Sequence, residues 1–219
     1  MKLVIANRNY SSWSLRPWLL MSEFGLKFDL IEESLAGDDL SERLGRHSPS
    51  CRVPVLIDGD VTVWDSLAIC EYVSEQYLDG KGWPESPASR AQARAISAEM
   101  HSGFMALRSE MPMNIRAKRI ITPSVAAVAD VRRIDQIWSD CRRQYAGRGD
   151  WLFGSFSIAD CMYVPVALRF RTYGMALSES GQRYMDTILE NAGVKAWIGA
   201  AMQETEIIPQ DEAGKDLPA

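Results

Sequence analysis

The densest group of polar side chains that could do chemistry occupies residues 7–14, with the sequence Asn-Arg-Asn-Tyr-Ser-Ser-Trp-Ser. It follows an apolar run at residues 3–6 and precedes a segment with helical spacing, so we expect it to join a buried strand to a helix. The N terminus of a helix stabilises an anion, including a thiolate, by about 0.3–2 kcal/mol. Ser11 and Ser12 would add hydroxyl donors. An ordinary polar loop explains these two serines equally well.

Ser14 has a structural explanation. We predict that it caps a helix over residues 15–24, because serine is a preferred N-cap residue. Pro17 would then lie in the first turn, where backbone N–H groups have no partner within the helix.

Two further polar groups flank predicted strands. Pro54, in Arg52-Val53-Pro54, begins a strand, a position that tolerates a residue without an N–H. A cis peptide there would turn the backbone groups of Val53 outward, towards a peptide-like ligand. Asp65 and Ser66 follow the next strand and open a helix. These two residues either cap an ordinary helix N terminus, or their carboxylate and hydroxyl bind the α-amino and α-carboxylate groups of a ligand.

Other kinds of chemistry lack their usual sequence signals. The chain has no Gly-x-Gly-x-x-Gly, no phosphate-binding loop with lysine, no Gly-x-Ser-x-Gly and no His-Glu-x-x-His. A hydrolase with a Ser-His-Asp triad would need His47 or His101 as its base. For each histidine, a position at the surface or a purely structural hydrogen bond is about three times more common than a catalytic role. The cysteines are too widely spaced for a metal site or a disulfide framework: Cys51, Cys70, Cys141 and Cys161.

Composition indicates a folded soluble protein, because 47% of the 219 residues are hydrophobic and 24% are charged. The 24 basic and 29 acidic residues give a net charge of −5, so nucleic acid is not an expected partner. The first apolar run ends at residue 6, too early for a signal peptide or a membrane span. We therefore expect a cytoplasmic protein with no membrane partner.

The first part of the chain alternates short apolar runs with amphipathic segments, which predicts a small mixed sheet covered by helices. We predict strands at residues 3–6 and 28–32, a hairpin at 54–58 and 61–64, and helices at 15–24, 40–46 and 66–77. The hairpin turn is Asp58-Gly59-Asp60. Residues 79–87 are dense in turn formers and predict a linker.

The second part of the chain shows no strand signal and predicts helices only. These lie over residues 88–110, after Thr122-Pro123, and near 158–171, 181–190 and 194–205. We place one domain at residues 1–80 and a second at 88–219, with 81–87 between them. The polar tail, residues 209–219, is expected to be loosely held.

The chain resembles the glutathione transferase superfamily over essentially its whole length. The resemblance is carried by the polar segments at residues 7–14, 52–54 and 65–66, in this order, followed by an all-helical half. The resemblance implies an α/β thioredoxin-like N-terminal domain followed by an all-α C-terminal domain. It implies that Ser11 or Ser12 holds the glutathione thiolate. It further implies glutathione-binding roles for five residues: Val53 and Pro54 at the cysteinyl backbone, Asp65 and Ser66 at the γ-glutamyl end, and Arg52 at the glycine carboxylate.

The segment Tyr10-Ser11-Ser12-Trp13-Ser14 is most similar to the zeta-class pattern Ser-Ser-Cys-Ser, with Ser11 at its first serine and Trp13 in place of the cysteine. The resemblance therefore implies that Ser11 is the thiolate donor, with Ser12 as the alternative. The resemblance implies a homodimer that detoxifies small electrophiles, with glutathione as co-substrate and no metal. Four residues at helical spacing, His101, Phe104, Met105 and Arg108, either line an electrophile pocket together with Trp13 or belong to the hydrophobic core, which is the commoner role of such a stripe.

The primary prediction is a glutathione transferase. Open alternatives are a glutathione-dependent isomerase of the maleylacetoacetate type, a noncatalytic binding module with the same fold, and a thiol–disulfide reductase that uses Cys51, although Cys51 is expected to fill space. Ser157 and Asp160 form a capping box of the kind that the family has at its buried sixth helix. We expect that role to be structural and Pro165 to kink the helix.

Overall fold

The computed structural model describes residues 1–217, and its first part is built on a four-stranded mixed sheet. The strands are β1 (Lys2–Ala6), β2 (Asp29–Glu33), β3 (Val55–Asp58) and β4 (Val61–Trp64), in the order β2-β1-β3-β4. β1 pairs parallel with β2, whereas β3 is antiparallel to both of its neighbours. Residues 3–6 of β1 are buried, which explains their continuous apolar run.

Three helices accompany the sheet: α1 (Ser12–Glu23), α2 (Leu40–Gly45) and α3 (Ser66–Tyr77). α1 begins three residues before the predicted start, because Ser11 and not Ser14 is its N-cap. Pro17 therefore lies in the second turn, where its missing N–H removes a helical hydrogen bond. α1 packs against α3 on one side and against the second part of the chain on the other.

The second part contains α4 (Pro87–Ser102), α5 (Met105–Glu110), α6 (Val125–Gln144), α7 (Ile158–Tyr173), α8 (Glu179–Glu190) and α9 (Ala192–Ala201). α7 is buried on nearly all sides and forms the centre of this part. Trp138 of α6 packs edge-on against Tyr163, Phe170 and Tyr184, with ring centroids 5.0–6.1 Å apart. Pro165 lies inside α7, as the sequence indicates.

Two predicted helix features of this part were wrong, and so was the expectation that it contains no strand. The single helix over residues 88–110 is two helices, because Gly103 ends α4 and Phe104 adopts a left-handed conformation with φ 58°. The following helix is capped by Ser124, whose Oγ accepts from the Ala127 N–H at 3.1 Å, and not by Thr122. A short ladder pairs β5 (Arg119–Ile120) with β6 (Lys215–Asp216), where no strand was expected.

Residues 203–217, which we call the C-terminal strap, make many polar contacts with the rest of the chain. They include residues 209–217 of the tail that was expected to be loosely held, while residues 218–219 of that tail lie outside the described residues. The Glu204 carboxylate accepts from the backbone N–H groups of Arg8 and Asn9 at 2.7 and 2.9 Å. The Tyr10 hydroxyl donates to Glu212 at 2.6 Å, and Arg119 forms an ion pair with the same carboxylate. These polar contacts join the strap to the loop that precedes α1.

The observed fold class is the predicted one, an α/β part with a four-stranded mixed sheet followed by a part that is helical apart from the short β5–β6 ladder. The boundaries at residues 80 and 88 stay a prediction. Within residues 1–217, no helix combines the length and the apolar character needed to cross a membrane.

Candidate functional site

Two adjoining cavities lie where the sheet part meets the helices. The sheet-edge cavity has a volume of about 550 Å³ and is lined by Trp13, Ser50, Arg52, Val53, Pro54, Trp64, Asp65, Ser66 and His101. The helix-side cavity has a volume of about 470 Å³, and the residues that line it include Ser11, Ser12, Trp13, Cys51, Arg52, Val53, Arg108, Pro112, Met113, Arg169 and Asp211. Trp13, Arg52 and Val53 line both cavities, so the two cavities adjoin at these residues, and we call them together the cleft.

The sheet-edge cavity brings together the five residues that the sequence assigned to glutathione. The Val53–Pro54 peptide is cis and lies directly before β3. Asp65 caps α3, and its Oδ1 accepts from the N–H groups of Leu67 and Ala68 at 2.9 and 3.1 Å. The capping and cavity-lining interpretations of Asp65 are therefore compatible. Asp65 has φ 76°, a left-handed conformation that costs an aspartate about 1–3 kcal/mol.

Ser11 is occupied by structural hydrogen bonds. Its hydroxyl donates to Ser14 Oγ at 2.8 Å and accepts from the Ser14 N–H at 3.4 Å. Ser14 Oγ also accepts from the Ala6 N–H at 3.1 Å, which ties the end of β1 to α1. Ser11 lines the helix-side cavity, but its hydroxyl proton is already donated to Ser14, which does not favour the expected role of Ser11 as the thiolate donor.

Ser12 is placed differently, as the first residue of α1. Its Oγ accepts from the Arg169 guanidinium at 3.2 Å. A guanidinium has no acceptor, so the Ser12 proton cannot be donated to it. Among the described residues the Ser12 hydroxyl donates to no other group, which leaves its proton for a ligand in the cavity.

Three arginines surround Trp13 and Ser12, and only one of them, Arg108, was predicted from the sequence to belong to the site. The guanidinium carbons of Arg16 and Arg108 lie 4.3 and 4.7 Å from the Trp13 ring centroid. Burial and the neighbouring arginines lower the pKa of Arg16 to about 9, and burial together with Arg108 lowers the pKa of Arg169 to about 10. Within the described chain, none of the three forms an ion pair.

The predicted electrophile pocket is brought together only in part. Trp13 and Arg108 line the helix-side cavity, whereas His101 lines the sheet-edge cavity. Phe104 is buried in the hydrophobic core and Met105 is 64% exposed, so neither lines the cleft. The reason is the break between α4 and α5, which turns these two side chains away. Cys51 lines the helix-side cavity as a free thiol.

Ser157 and Asp160 lie outside both cavities and act at the start of α7. The buried Asp160 carboxylate accepts from the Ser157 N–H at 2.9 Å and from the Leu152 N–H at 3.1 Å. It also accepts from the hydroxyls of Ser157 and Tyr184 at 3.0 and 2.8 Å. Burial raises the pKa of Asp160 to about 6. Within residues 1–217, no group of three His, Cys, Asp or Glu side chains could hold a metal ion.

The family model for the N-terminal domain of glutathione S-transferases matches residues 10–76, and the model for their C-terminal domain matches residues 91–200. This chain therefore belongs to the glutathione S-transferase superfamily. The two matches cover the cavities' lining residues in α1, β4 and α5 as well as the buried helix α7.

Individual relatives differ in what they do. The chain is 30% identical over 113 residues to a probable maleylacetoacetate isomerase of Caenorhabditis elegans, a match that covers 51% of this chain and 51% of that protein. It is 19% identical over 187 residues to a stringent starvation protein A homolog of Haemophilus ducreyi, covering 84% and 83% of the two chains. The chain thus spans about half the length of the isomerase and most of the other relative.

A solved structure shares the fold. The glutathione transferase homolog from Burkholderia gl BGR1, with bound glutathione, superposes with a TM-score of 0.70 at 22% identity. The match covers 93% of this chain and 98% of that one. The predicted thioredoxin-like domain with a helical C-terminal domain is confirmed by this comparison together with the family models.

Proposed function

We propose that this chain is a glutathione transferase that uses the Ser12 hydroxyl to hold the glutathione sulfur as a thiolate. The observation that carries the proposal is the cleft itself. Its two cavities meet at Trp13, beside Ser12 at the N terminus of α1. A tripeptide along the sheet edge would therefore present its sulfur to an electrophile in the helix-side cavity.

Each part of glutathione has a complementary group in the sheet-edge cavity. The Asp65 carboxylate and the Ser66 hydroxyl suit the γ-glutamyl ammonium and carboxylate. The backbone of Val53 suits the cysteinyl amide, since a backbone segment can pair with a peptide-like ligand. Arg52 lines both cavities and suits the glycine carboxylate.

The chemical task is to favour the sulfur anion, because a free thiol with a pKa near 8.5 is only a few per cent ionised at neutral pH. Ser12 would donate a hydrogen bond to the anion, and the N terminus of α1 would add its positive field. The thiol proton passes to solvent. The sulfur lone pair then forms a bond to the electrophilic carbon, and the leaving group departs with its bonding electrons.

The charge of the helix-side cavity indicates the class of electrophile. Arg108 and Arg169 line this cavity, and neither has an ion-pair partner among the described residues. Each guanidinium also donates to backbone carbonyls, Arg108 to Met100 and Arg169 to Met111, which leaves its positive charge uncompensated by a carboxylate. Buried guanidinium groups bind carboxylates well, often through two hydrogen bonds. We therefore expect the preferred electrophile to carry a carboxylate.

Two measurements test the proposal. Isothermal titration calorimetry with glutathione should detect binding, and conjugation to a generic aryl halide should show turnover. The Ser12→Ala variant should keep the binding and lose most of the turnover. If glutathione does not bind, it is not the ligand of this site and the proposal is wrong. If it binds but no electrophile is conjugated, the noncatalytic binding module is favoured.

A second candidate is a glutathione-dependent isomerase, which the carboxylate-binding cavity and the similarity to the C. elegans protein both support. In that reaction the thiolate adds to a carbon–carbon double bond, the bond rotates, and the thiolate leaves again. Glutathione is then regenerated. Counting glutathione consumed for each product formed on a cis unsaturated keto acid separates the two candidates, since a transferase consumes one equivalent and an isomerase none.

We also propose that the protein is a homodimer and lies in the cytoplasm. The edge strand β4 exposes Val61 and Trp64, which suits a subunit contact. Cys51, Cys70, Cys141 and Cys161 are free thiols, as a reducing compartment favours. Gel filtration of the purified protein tests the oligomeric state.

A further inference from the structure

His101 connects the helical part of the chain to the proposed glutathione site. It lies in the last turn of α4, and its Nε2 is 3.0 Å from Oδ2 of Asp65. Its ring packs edge-on against Trp13, with centroids 5.3 Å apart. Asp65 therefore uses one carboxylate oxygen to cap α3 and meets His101 with the other.

The surroundings of His101 decide where its proton lies. Its Nδ1 is buried and, within residues 1–217, has no hydrogen-bond partner. A neutral ring can therefore donate from Nε2 to Asp65, whereas a protonated ring would leave a buried Nδ1–H unpaired. The charged groups that face it are Asp65, Arg16 and Arg108. Burial and the two arginines lower its pKa below the ordinary 6.5, against the opposing effect of Asp65.

We propose that His101 is a positioning residue that orients Asp65 for the glutathione ammonium while neutral and weakens glutathione binding when protonated. The proposal rests on the proposed function, which places the γ-glutamyl end at Asp65. The neutral ring donates one hydrogen bond and leaves the carboxylate charge for the ligand. The imidazolium would pair with that charge and repel the incoming ammonium.

The expected effect has a definite sign and size. The imidazolium would repel the ligand ammonium, and solvent screening limits the size of that repulsion. Since Asp65 is partly exposed, we expect protonation to weaken glutathione binding by about three- to tenfold. Affinity should therefore fall as the pH is lowered through the pKa of His101.

The chain supplies a matched control, because it contains only two histidines. His47 also pairs with a carboxylate, with its Nε2 2.8 Å from Oε1 of Glu33. It lines neither cavity. Replacing His47 removes a histidine that is paired with a carboxylate in the same way but lies outside the site.

The experiment measures the dissociation constant of S-hexylglutathione, which has no thiol, by calorimetry from about pH 7 down to about pH 5.5, a range in which its ammonium and carboxylates do not change charge. Wild type and His47→Gln should lose affinity steadily as the pH falls, and the loss should approach three- to tenfold where the NMR titration shows His101 to be protonated. His101→Gln, which can donate but cannot be protonated, should show a flat profile.

A second measurement does not depend on a variant that folds. The two histidine ring C–H signals of the wild type are followed by NMR against pH, with and without saturating glutathione. Because linkage is reciprocal, glutathione should lower the pKa of one histidine by about 0.5–1 unit and leave the other unchanged.

The outcomes separate the two proposals. Absence of glutathione binding at every pH overturns the proposed function and this inference with it. Binding with a flat wild-type profile, an unchanged slope in His101→Gln, or an unshifted His101 signal overturns the inference alone.

Discussion

Ser12 Oγ accepts a hydrogen bond from the guanidinium of Arg169 at 3.2 Å, which joins the start of α1 to the buried helix α7. Arg169 is itself fixed, because its Nε donates to the Met111 carbonyl at 2.9 Å. A donor that cannot accept holds one lone pair of the hydroxyl and leaves its proton free. The two candidate serines thus differ: the Ser12 hydroxyl can donate to a ligand in the cleft, whereas the Ser11 hydroxyl caps α1.

The first prediction separates these roles. Ser12→Ala should lower turnover with glutathione by about 10²–10³, because one well-placed donor to a developing or bound anion contributes that much. Its free energy of unfolding should change little. Steady-state kinetics and urea denaturation of the same samples measure both quantities.

Ser11→Ala is the matched control for that experiment. It removes the N-cap of α1 and a partner of Ser14, so we expect a loss of about 0.5–2 kcal/mol in the free energy of unfolding. If Ser11→Ala abolishes turnover and Ser12→Ala does not, the assignment of the thiolate donor is off by one residue.

The second prediction concerns Arg108. Arg108→Gln should raise KM for a carboxylate-bearing electrophile by about tenfold or more, since a hydrogen bond to a charged group contributes about 1.5–3 kcal/mol. KM for a neutral aryl halide should change by less than about threefold, because no charge pair is lost. Arg183→Gln, at an exposed ion pair on α8, should leave both values unchanged. Equal effects on both electrophiles would contradict a carboxylate-binding role.

The third prediction concerns Asp211, which the C-terminal strap places in the wall of the helix-side cavity. Burial raises the pKa of Asp211, and Arg169 opposes that shift. Its carboxylate competes with a ligand carboxylate for the arginines. Asp211→Asn should therefore tighten binding of an S-substituted glutathione whose substituent carries a carboxylate by about three- to tenfold.

The same titrations with S-hexylglutathione provide the internal control, because its substituent is uncharged. Asp60→Asn changes the same charge in the exposed turn between β3 and β4 and should alter neither affinity. Weaker binding of the charged ligand in Asp211→Asn would mean that Asp211 contacts a donor on the ligand instead.

The fourth prediction is a pH dependence of stability. The Asp160 pKa of about 6 in the folded protein exceeds the ordinary value of 3.8, so the folded state binds this proton more tightly than the unfolded state. The contribution of Asp160 to the free energy of unfolding should therefore rise by about 1 kcal/mol as the pH falls from about 7 to about 5.

Urea denaturation at both pH values, compared with Asp160→Asn, isolates that contribution. The variant should be less stable at every pH, because the carboxylate accepts four hydrogen bonds. The change in its stability between the two pH values should lack the Asp160 contribution. An identical pH dependence in wild type and variant would show that Asp160 does not titrate in this range.

The strands and most helices could be predicted because their signals are local. A buried run such as residues 3–6 and the turn at Asp58-Gly59-Asp60 are read directly from neighbouring residues. The start of α1 was missed because Ser11 and Ser14 both suit an N-cap and only the contact of Ser14 with the end of β1 distinguishes them.

The arginine cluster could not be predicted, since its members come from three separate helices. Arg16, Arg108 and Arg169 meet only when α1, α5 and α7 pack around Trp13. Arg169 does leave one signal, a charged residue in a helix whose other positions are mainly apolar. The contacts of the strap leave no local pattern, because acidic residues in a polar segment look like a solvated surface.

The strap also sets the order in which the site can be completed during synthesis. The loop that precedes α1 finds its carboxylate partner in Glu204, which is 195 residues away from Asn9 along the chain. Contacts of such long range form late, because much of the intervening chain must be ordered first. On the ribosome, the sheet and α1 can assemble early. The cleft around Ser12 becomes rigid only after the strap has emerged, so a nascent chain has a folded scaffold before it has an organised site.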